Sequence, residues 1–193
     1  MIDVFSDAWI VSALAGLVGL MIGSFLNVCT LRWPEDESVV FPGSHCPKCG
    51  EPIRWYDNVP VLGYVLLRGR CRACREPISL QYPLVELATG LVWAGMFSYA
   101  GLSFEALRGT LLLTILFGIA LTDARFYIIP DQFSLGGLVL GLGLAFLPGG
   151  IDALDALIGA IVGFGLLGSV AVVGKWMLKK DAMGLGDIKM MAM

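Results

Sequence analysis

Charged residues are scarce in this sequence: Asp, Glu, Lys and Arg account for 15% of its 193 residues, against about 25% in an average chain. Hydrophobic residues fill the difference at 57%, and the mean hydropathy is +0.80. A surface with so little charge is not that of a soluble domain. The 25 glycines suit helices that pack closely in lipid, so the sequence predicts a membrane protein.

Basic charge is also lacking, since the net charge is -3 and the isoelectric point is near 5.1. Nucleic-acid binding needs a basic patch or stripe, and no run of like charge is long enough to form an interaction tail. The predicted partner is therefore the lipid bilayer and not a nucleic acid.

Stretches without Asp, Glu, Lys or Arg locate the predicted membrane spans. A span needs roughly 20 apolar residues, and helices are expected because a lipid-exposed strand would leave backbone groups unpaired. Five such stretches cover residues 8–31, 87–104, 109–122, 132–151 and 156–174. The third is short and is expected to extend back past Arg108, whose side chain can snorkel to the headgroups. The predicted fold is an all-α polytopic membrane protein with at least five transmembrane helices.

The orientation follows from the basic residues, because twelve of the 13 fall on alternate loops and only Arg108 lies on the other side. The positive-inside rule places those twelve in the cytoplasm. We therefore predict a periplasmic N-terminus, with residues 32–81 and the last residues cytoplasmic. Residues 1–7 contain acids but no Lys or Arg, and no small-residue cleavage site closes the first span, so no removable signal peptide is expected.

Glycines four residues apart occur in the fourth and fifth spans, at Gly137 with Gly141 and at Gly159 with Gly163. Small residues at this spacing let helix backbones approach closely. We expect a packing role for them and not a binding site.

Two Cys-x-x-Cys pairs lie in the one sizeable soluble segment, residues 32–81. Cys46 and Cys49 form the first pair, Cys71 and Cys74 form the second, and 21 residues separate the two. Each pair can place two thiolates on one turn, and two such turns supply the four soft ligands of a tetrahedral zinc site. A segment this short builds little core, so Zn²⁺ would provide most of its folding free energy. The sequence predicts a small cytoplasmic zinc-ribbon-like domain.

Redox-active or structural disulfides, and metals other than zinc, are the alternative interpretations of these cysteines. The predicted cytoplasmic location disfavours disulfides. His45 precedes Cys46 and is expected to be a solvated neighbour, because four cysteines already complete the ligand set. Cys29, inside the first span, has no partner in the sequence and is expected to be a small packing residue.

Two aspartates are predicted to lie at the cytoplasmic edge of the membrane. Asp123 closes the third span, and Asp187 follows the fifth span at the end of Gly184-Leu-Gly-Asp187. Either one alone is also consistent with a solvated or helix-capping acid. Asp131 is an alternative candidate to Asp123. Because it follows Pro130, it is more simply a turn residue or the N-cap of the fourth span.

A pair of carboxyl groups in one site has a distinct chemistry, because both cannot ionise cheaply and one keeps its proton. In aspartic proteases the ionised group takes a proton from water while the protonated group donates to the scissile carbonyl. Gly184 and Gly186 suit such a site, since glycine lets a substrate backbone approach closely. Asp123 and Asp187 are therefore the candidate catalytic pair.

Further motifs accompany these residues in order along the chain: Gly23–Asn27, Trp55–Pro60, Leu67–Cys71 and Tyr82–Glu86, followed by the segments of Asp123 and Asp187. In this combination the chain resembles the bacterial type IV prepilin peptidases, a GxGD aspartic protease family also called leader peptidase and N-methyltransferase, whose members commonly methylate the product. The resemblance covers nearly the whole chain.

The resemblance implies an inner-membrane aspartic peptidase that removes the leader of type IV prepilins or type II secretion pseudopilins at the cytoplasmic face. It implies S-adenosyl-L-methionine as the donor that methylates the new N-terminal residue. Carried over by position, the catalytic residues are Asp123 and Asp187, and the zinc ligands are Cys46, Cys49, Cys71 and Cys74. No glycine-rich nucleotide loop follows a strand, so no donor-binding residue is predicted.

Glu86 and Asn27 match family positions at span ends. For each, helix capping or interhelical bonding competes with a direct role in methyl transfer or substrate docking. The resemblance also implies further spans beyond the Gly-x-Gly-Asp motif, whereas this chain stops six residues after Asp187. We therefore expect a truncated sixth helix and no peptidase activity from these 193 residues alone.

The expected division of the chain is a first transmembrane helix over residues 1–31, a four-cysteine zinc-binding domain over 32–81 and a C-terminally incomplete peptidase domain over 82–193. A peptidase without methylation and a non-enzymatic zinc-knuckle scaffold of a secretion machine are the competing functions. A transporter is disfavoured, because its acids would have to lie at the membrane midplane.

Overall fold

A computed structural model describes residues 4–180 and 183–193, with side chains from residue 8 onward. Over these residues the chain is helical and contains no strand, only two isolated backbone bridges. Its α-helices are α1 Val4–Arg32, α2 Leu62–Leu66, α3 Gln81–Ala100, α4 Phe104–Phe126, α5 Asp131–Ala145, α6 Ala153–Leu178 and α7 Leu185–Ala192. The expectation that no signal peptide is removed rests on residues 1–7, of which the first three lie outside the described residues.

A helix occupies each of the five predicted spans, which confirms the all-α membrane fold. Within residues 4–180 and 183–193, three segments are long and apolar enough to cross a bilayer: Ala8–Glu35, Phe104–Phe126 and Ala153–Leu178. The other two helices are α3, of 20 residues, and α5, of 15 residues, the latter shorter than the roughly 20 residues of a full span.

The chain divides into two compact units, Met1–Ala106 and Leu107–Met193. In the first unit α1 packs along α3 through a face of glycines. A Cβ added at Gly19 or Gly23 would come within 2.9 Å of α3 backbone atoms, and one at Gly16 would lie 3.2 Å from the Cβ of Ala94. This close approach is what small residues allow between membrane helices. The sequence reasoning missed this face, although its glycine spacing was the available signal.

In the second unit α7 lies against α5 and α6. Gly163 of α6 directly contacts the carbonyl of Met191, and Gly137 of α5 contacts the side chain of Met193. These contacts give Gly137 and Gly163 the expected packing role. Gly159 faces open space, so a packing role for that residue is not seen in this unit.

Arg108 caps the end of α5. As expected, α4 begins before Arg108, at Phe104. The guanidinium of Arg108 donates hydrogen bonds to the carbonyls of Leu144, Leu147 and Pro148. The last carbonyls of a helix have no partner within the helix, and the side chain therefore stabilises this helix end.

Candidate functional site

The four cysteines of the two pairs form one cluster in the first unit. Their sulfur atoms all lie within 4.8 Å of one another, and the cluster could hold a metal ion. Cys46 is buried and Cys49 and Cys74 are exposed, so the cluster lies near the surface. His45 is not part of it: the imidazole is exposed and lies 3.0 Å from the carbonyl of Gly43.

The two cysteine turns have the same backbone pattern. The first cysteine of each turn donates its N–H to the residue five positions later, from Cys46 to Glu51 and from Cys71 to Glu76. Its carbonyl accepts from the residue four positions later, which is Gly50 in one turn and Arg75 in the other. That residue has positive φ in both turns, at 73° and 63°, a conformation that favours glycine. In each pair, this turn directs both sulfur atoms toward the centre of the four-sulfur cluster.

Backbone amides favour a thiolate at Cys46. Hydrogen bonds from the N–H groups of Cys49 and Lys48 lower the pKa of Cys46 to about 6. The Glu76 N–H acts in the same direction on Cys74, but local desolvation of the sulfur and hydrogen bonds with the other three sulfurs outweigh it and raise the pKa of Cys74 to about 12. Ionised thiols are the form that binds metal.

An ion pair ties the second cysteine turn to the segment before α2. Arg72 lies between Cys71 and Cys74, and its guanidinium donates two hydrogen bonds, of 2.7 and 2.5 Å, to the carboxylate of Asp57. The Asp57 side chain is only 6% exposed, and the adjacent Arg72 lowers the pKa of its carboxyl. Paired parallel hydrogen bonds of this kind are among the stronger and more directional contacts in proteins.

Glu86 and Asn27 lie at the α1–α3 interface, where both are buried. The Glu86 carboxylate accepts a 2.7 Å hydrogen bond from the backbone N–H of Val61. Asn27 donates to the carbonyl of Tyr82 across the interface at 3.1 Å. Interhelical bonding is therefore seen for Asn27, and Glu86 fastens the segment between α1 and α3 to α3.

The candidate catalytic aspartates both lie in the second unit. Asp123 is exposed near the end of α4, and its carbonyl accepts the N–H of Tyr127 as the helix ends. Asp187 is half-buried in the first turn of α7, with its carboxylate folded back beside Gly184. Among the described residues, neither side chain forms a hydrogen bond or an ion pair with the other.

Two contacts hold α7 against the connection that follows Asp123 and against the start of α5. A Cβ added at Gly186 would lie 3.0 Å from the Cβ of Ile129. Lys189 forms an ion pair with Asp131 at 2.7 Å. Asp131 is the first residue of α5 and not its N-cap, which is Pro130. Its carboxylate instead pairs with Lys189 of α7, which its position in the sequence did not indicate.

Two protein families match the chain in sequence. Residues 17–100 match the family described as Bacterial Peptidase A24 N-terminal domain, and residues 110–193 match the Type IV leader peptidase family. The prepilin leader peptidase/N-methyltransferase of Klebsiella pneumoniae is 40% identical over 91% of this chain and 80% of its own length. The chain belongs to the prepilin leader peptidase/N-methyltransferase family.

Alignments of this chain with other members of the prepilin leader peptidase/N-methyltransferase family cover different shares of those relatives' lengths. The protein of that name from Myxococcus xanthus is 42% identical over 92% of this chain, which spans only 53% of that relative. The one from Neisseria gonorrhoeae is 36% identical over 93% of this chain and 71% of its own length. No solved structure matches the chain significantly.

Proposed function

We propose that this protein is an aspartic endopeptidase that cleaves the leader of type IV prepilins or type II secretion pseudopilins, with Asp123 and Asp187 as its catalytic residues. The observation that carries the proposal is the docking of the Gly184–Asp187 segment onto the connection after Asp123, through Gly186 and Ile129. Relatives at 36–42% identity bear the name prepilin leader peptidase/N-methyltransferase.

The arrangement suits the chemistry of an aspartic dyad. Asp123 is exposed at a helix end and Asp187 is half-buried, so water can reach the first while the second is partly shielded. One carboxylate takes a proton from the attacking water, and the other, protonated, donates to the scissile carbonyl. A prepilin is an apolar helix with a charged leader, and its scissile bond would lie at the membrane surface level with these helix ends.

The cysteine cluster fits Zn²⁺. Zinc–sulfur bonds of about 2.3 Å in a tetrahedron place neighbouring sulfurs about 3.8 Å apart, and the Sγ atoms of Cys46 and Cys74 are separated by 3.8 Å. Cys46, Cys49, Cys71 and Cys74 would hold the ion, which would stabilise a segment with few buried apolar residues. Its role here is structural.

Methylation of the new N-terminal residue by S-adenosyl-L-methionine completes the proposed activity and rests on the family name. The described residues do not identify a site for this donor. A shallow surface groove on α6 is lined by Ser169, Val170, Val173 and Gly174, which offer no charged group for its sulfonium, amine or carboxylate.

The proposed location is the bacterial inner membrane, with the N-terminus periplasmic and the four-cysteine segment and both aspartates cytoplasmic. Segment 32–81 would form the zinc domain, between the first transmembrane helix over 1–31 and the peptidase residues from 82 to 193. Twelve of 13 basic residues on alternate loops support this orientation.

The test is to express the protein from its gene in a host without a prepilin peptidase, and to follow prepilin cleavage and zinc content. Asp123→Asn and Asp187→Asn should each abolish cleavage and leave zinc bound. Asp155→Asn, an exposed acid in the first turn of α6, is the matched control and should cleave normally.

Two outcomes would reassign the site. If Asp131→Asn abolishes cleavage while Asp123→Asn does not, Asp131 is the partner of Asp187. If both catalytic variants process prepilin fully, the protein is a scaffold. Mass spectrometry of the mature pilin from a Cys46→Ser, Cys71→Ser variant measures cleavage and methylation together. It therefore distinguishes a peptidase that also methylates from a monofunctional peptidase.

A further inference from the structure

Helix α2 presents an apolar face that no described part of the chain covers. Leu62, Val65 and Leu66 are 59%, 62% and 77% exposed. The opposite side is occupied by Gly63, which is buried against the carbonyl of Asp57. Residues three and four apart share a face of a helix, so these three side chains form one outward stripe, here called the α2 face.

The depth of the α2 face is set by Glu86. The residue before α2, Val61, donates its N–H to the Glu86 carboxylate at 2.7 Å. Glu86 lies five residues inside α3, about 7 Å along the helix axis. Its backbone packs on α1, because a Cβ at Gly23 would lie 2.7 Å from the Glu86 Cα.

Gly23 lies well inside the charge-free part of α1. It lies nine positions before Arg32, about 13 Å of helix, and the span Ala8–Glu35 is long and apolar enough to cross a membrane. Even with the full reach of the Glu86 side chain toward the start of α3, Val61 remains on the apolar side of Arg32. The start of α2 is therefore placed at membrane level and not above it.

The backbone of Val61 adopts an unfavourable conformation in this turn. Its φ and ψ are 61° and -49°, and Leu62 donates its N–H to the carbonyl of Pro60 at 2.6 Å. These values define a γ-turn with positive φ, a rare and strained form. For a β-branched residue the conformation is unfavourable, and the hydrogen bond to Glu86 helps to stabilise it.

The charges around α2 match an anionic lipid surface. Arg68 and Arg70 follow the helix and are both exposed. The carboxylate of Asp57 is already paired with Arg72, and α2 contains no acid. An apolar face flanked by arginines is the composition of helices that lie in the membrane interface, where arginine extends to the headgroups.

We propose that the α2 face is a membrane-contact surface. It inserts Leu62, Val65 and Leu66 into the headgroup–acyl boundary of the leaflet on the side of the four-cysteine segment, and Arg68 and Arg70 bind anionic headgroups. This contact would hold the segment to the bilayer in addition to its attachment to α3 through Glu86, and it does not depend on the peptidase reaction.

The test places a nitroxide on p-acetylphenylalanine at position 66, which leaves all five cysteines unmodified. The protein is reconstituted in phosphatidylcholine vesicles, and collisions of the label with oxygen and with a water-soluble nickel complex are compared. At 66, oxygen collisions should exceed those of nickel. A label at Lys48, whose side chain is 68% exposed in the same segment, should show the reverse.

A label at Leu62, one turn earlier on the same face, must agree with the label at 66. Nickel collisions that dominate at both positions overturn the proposal. A label shielded from both reagents also overturns it, because it indicates a protein on this face, such as the substrate helix.

The headgroup component has its own measurement. Adding phosphatidylglycerol should raise the oxygen-to-nickel ratio at position 66. In an Arg68→Gln, Arg70→Gln variant the ratio should no longer respond to that lipid, while the label stays in the lipid phase. A response that persists in the double variant rules out these arginines as the headgroup ligands.

Discussion

Gly163 of α6 lies directly beneath the backbone carbonyl of Met191 of α7. A side chain at this position cannot be accommodated without moving α7, the helix that carries Asp187. Gly159 is one turn earlier on the same helix and faces open space. The two glycines therefore form a matched pair in which only one controls the docking of α7.

Replacing Gly163 with leucine should displace α7. Overpacking typically costs about 1–3 kcal/mol, so amide exchange of Leu185–Ala192 should accelerate, and prepilin cleavage should fall with it. Gly159→Leu should leave both unchanged. Equal exchange rates in the two variants would contradict the docking described for α7.

Removing one cluster cysteine should release the metal. Cys71→Ser leaves three thiolates, and structural zinc sites require four ligands. Elemental analysis should find about one zinc per chain in the wild type and little in this variant, and protease should cut the four-cysteine segment, residues 32–81, readily. Cys29→Ala is the control, because Cys29 is buried in α1 and outside the cluster; zinc loss there would argue against the assigned ligand set.

The Arg72–Asp57 pair should make the four-cysteine segment sensitive to acid. Because Arg72 lowers the pKa of Asp57 in the folded protein, the pair contributes stability above the unfolded value of about 3.9. That contribution is lost as the pH falls through the lowered folded pKa. The denaturation midpoints of wild type and Asp57→Asn should differ at neutral pH and converge well below pH 4. A difference independent of pH would show that the pair's charge is not the cause.

Loss of the Glu86 carboxylate should free the turn at Val61. Glu86→Leu leaves a backbone N–H without its acceptor, which costs about 1–3 kcal/mol and corresponds to roughly tenfold or more faster exchange of that amide. Glu86→Gln keeps an acceptor oxygen and should exchange nearly as slowly as the wild type. If the leucine variant exchanges as slowly as the wild type, the carboxylate is not the acceptor.

Arg108 should be required for the end of α5. Arg108→Gln removes most of the hydrogen bonds to the carbonyls of Leu144, Leu147 and Pro148, and bonds from a charged group contribute about 1.5–3 kcal/mol. Thermal unfolding should shift downward by several degrees. Arg125→Gln, an exposed residue in the last turn of α4, should shift it little, and equal shifts would refute the capping role.

The membrane fold and the cysteine cluster could be predicted because their signals are local. Charge-free stretches determine which residues avoid water, and a Cys-x-x-Cys turn needs only its own four residues to aim two sulfurs together. The roles of Asp131 and Arg108 could not be predicted, since each depends on residues that lie far away in the sequence, Lys189 and Leu144 among them. The catalytic pairing of Asp123 and Asp187 remains a prediction.

The sequence alone determined that this is a helical membrane protein with four clustered thiols, because apolar length and ligand spacing are properties of short stretches. Only the tertiary structure decided three contacts. Glu86 accepts a hydrogen bond from Val61, Arg72 pairs with Asp57, and glycines of α5 and α6 pack against the C-terminal residues from Met191 to Met193. The physical reason is that hydrogen bonds and close backbone contacts act over a few ångströms, so which residues form them depends on how distant segments pack.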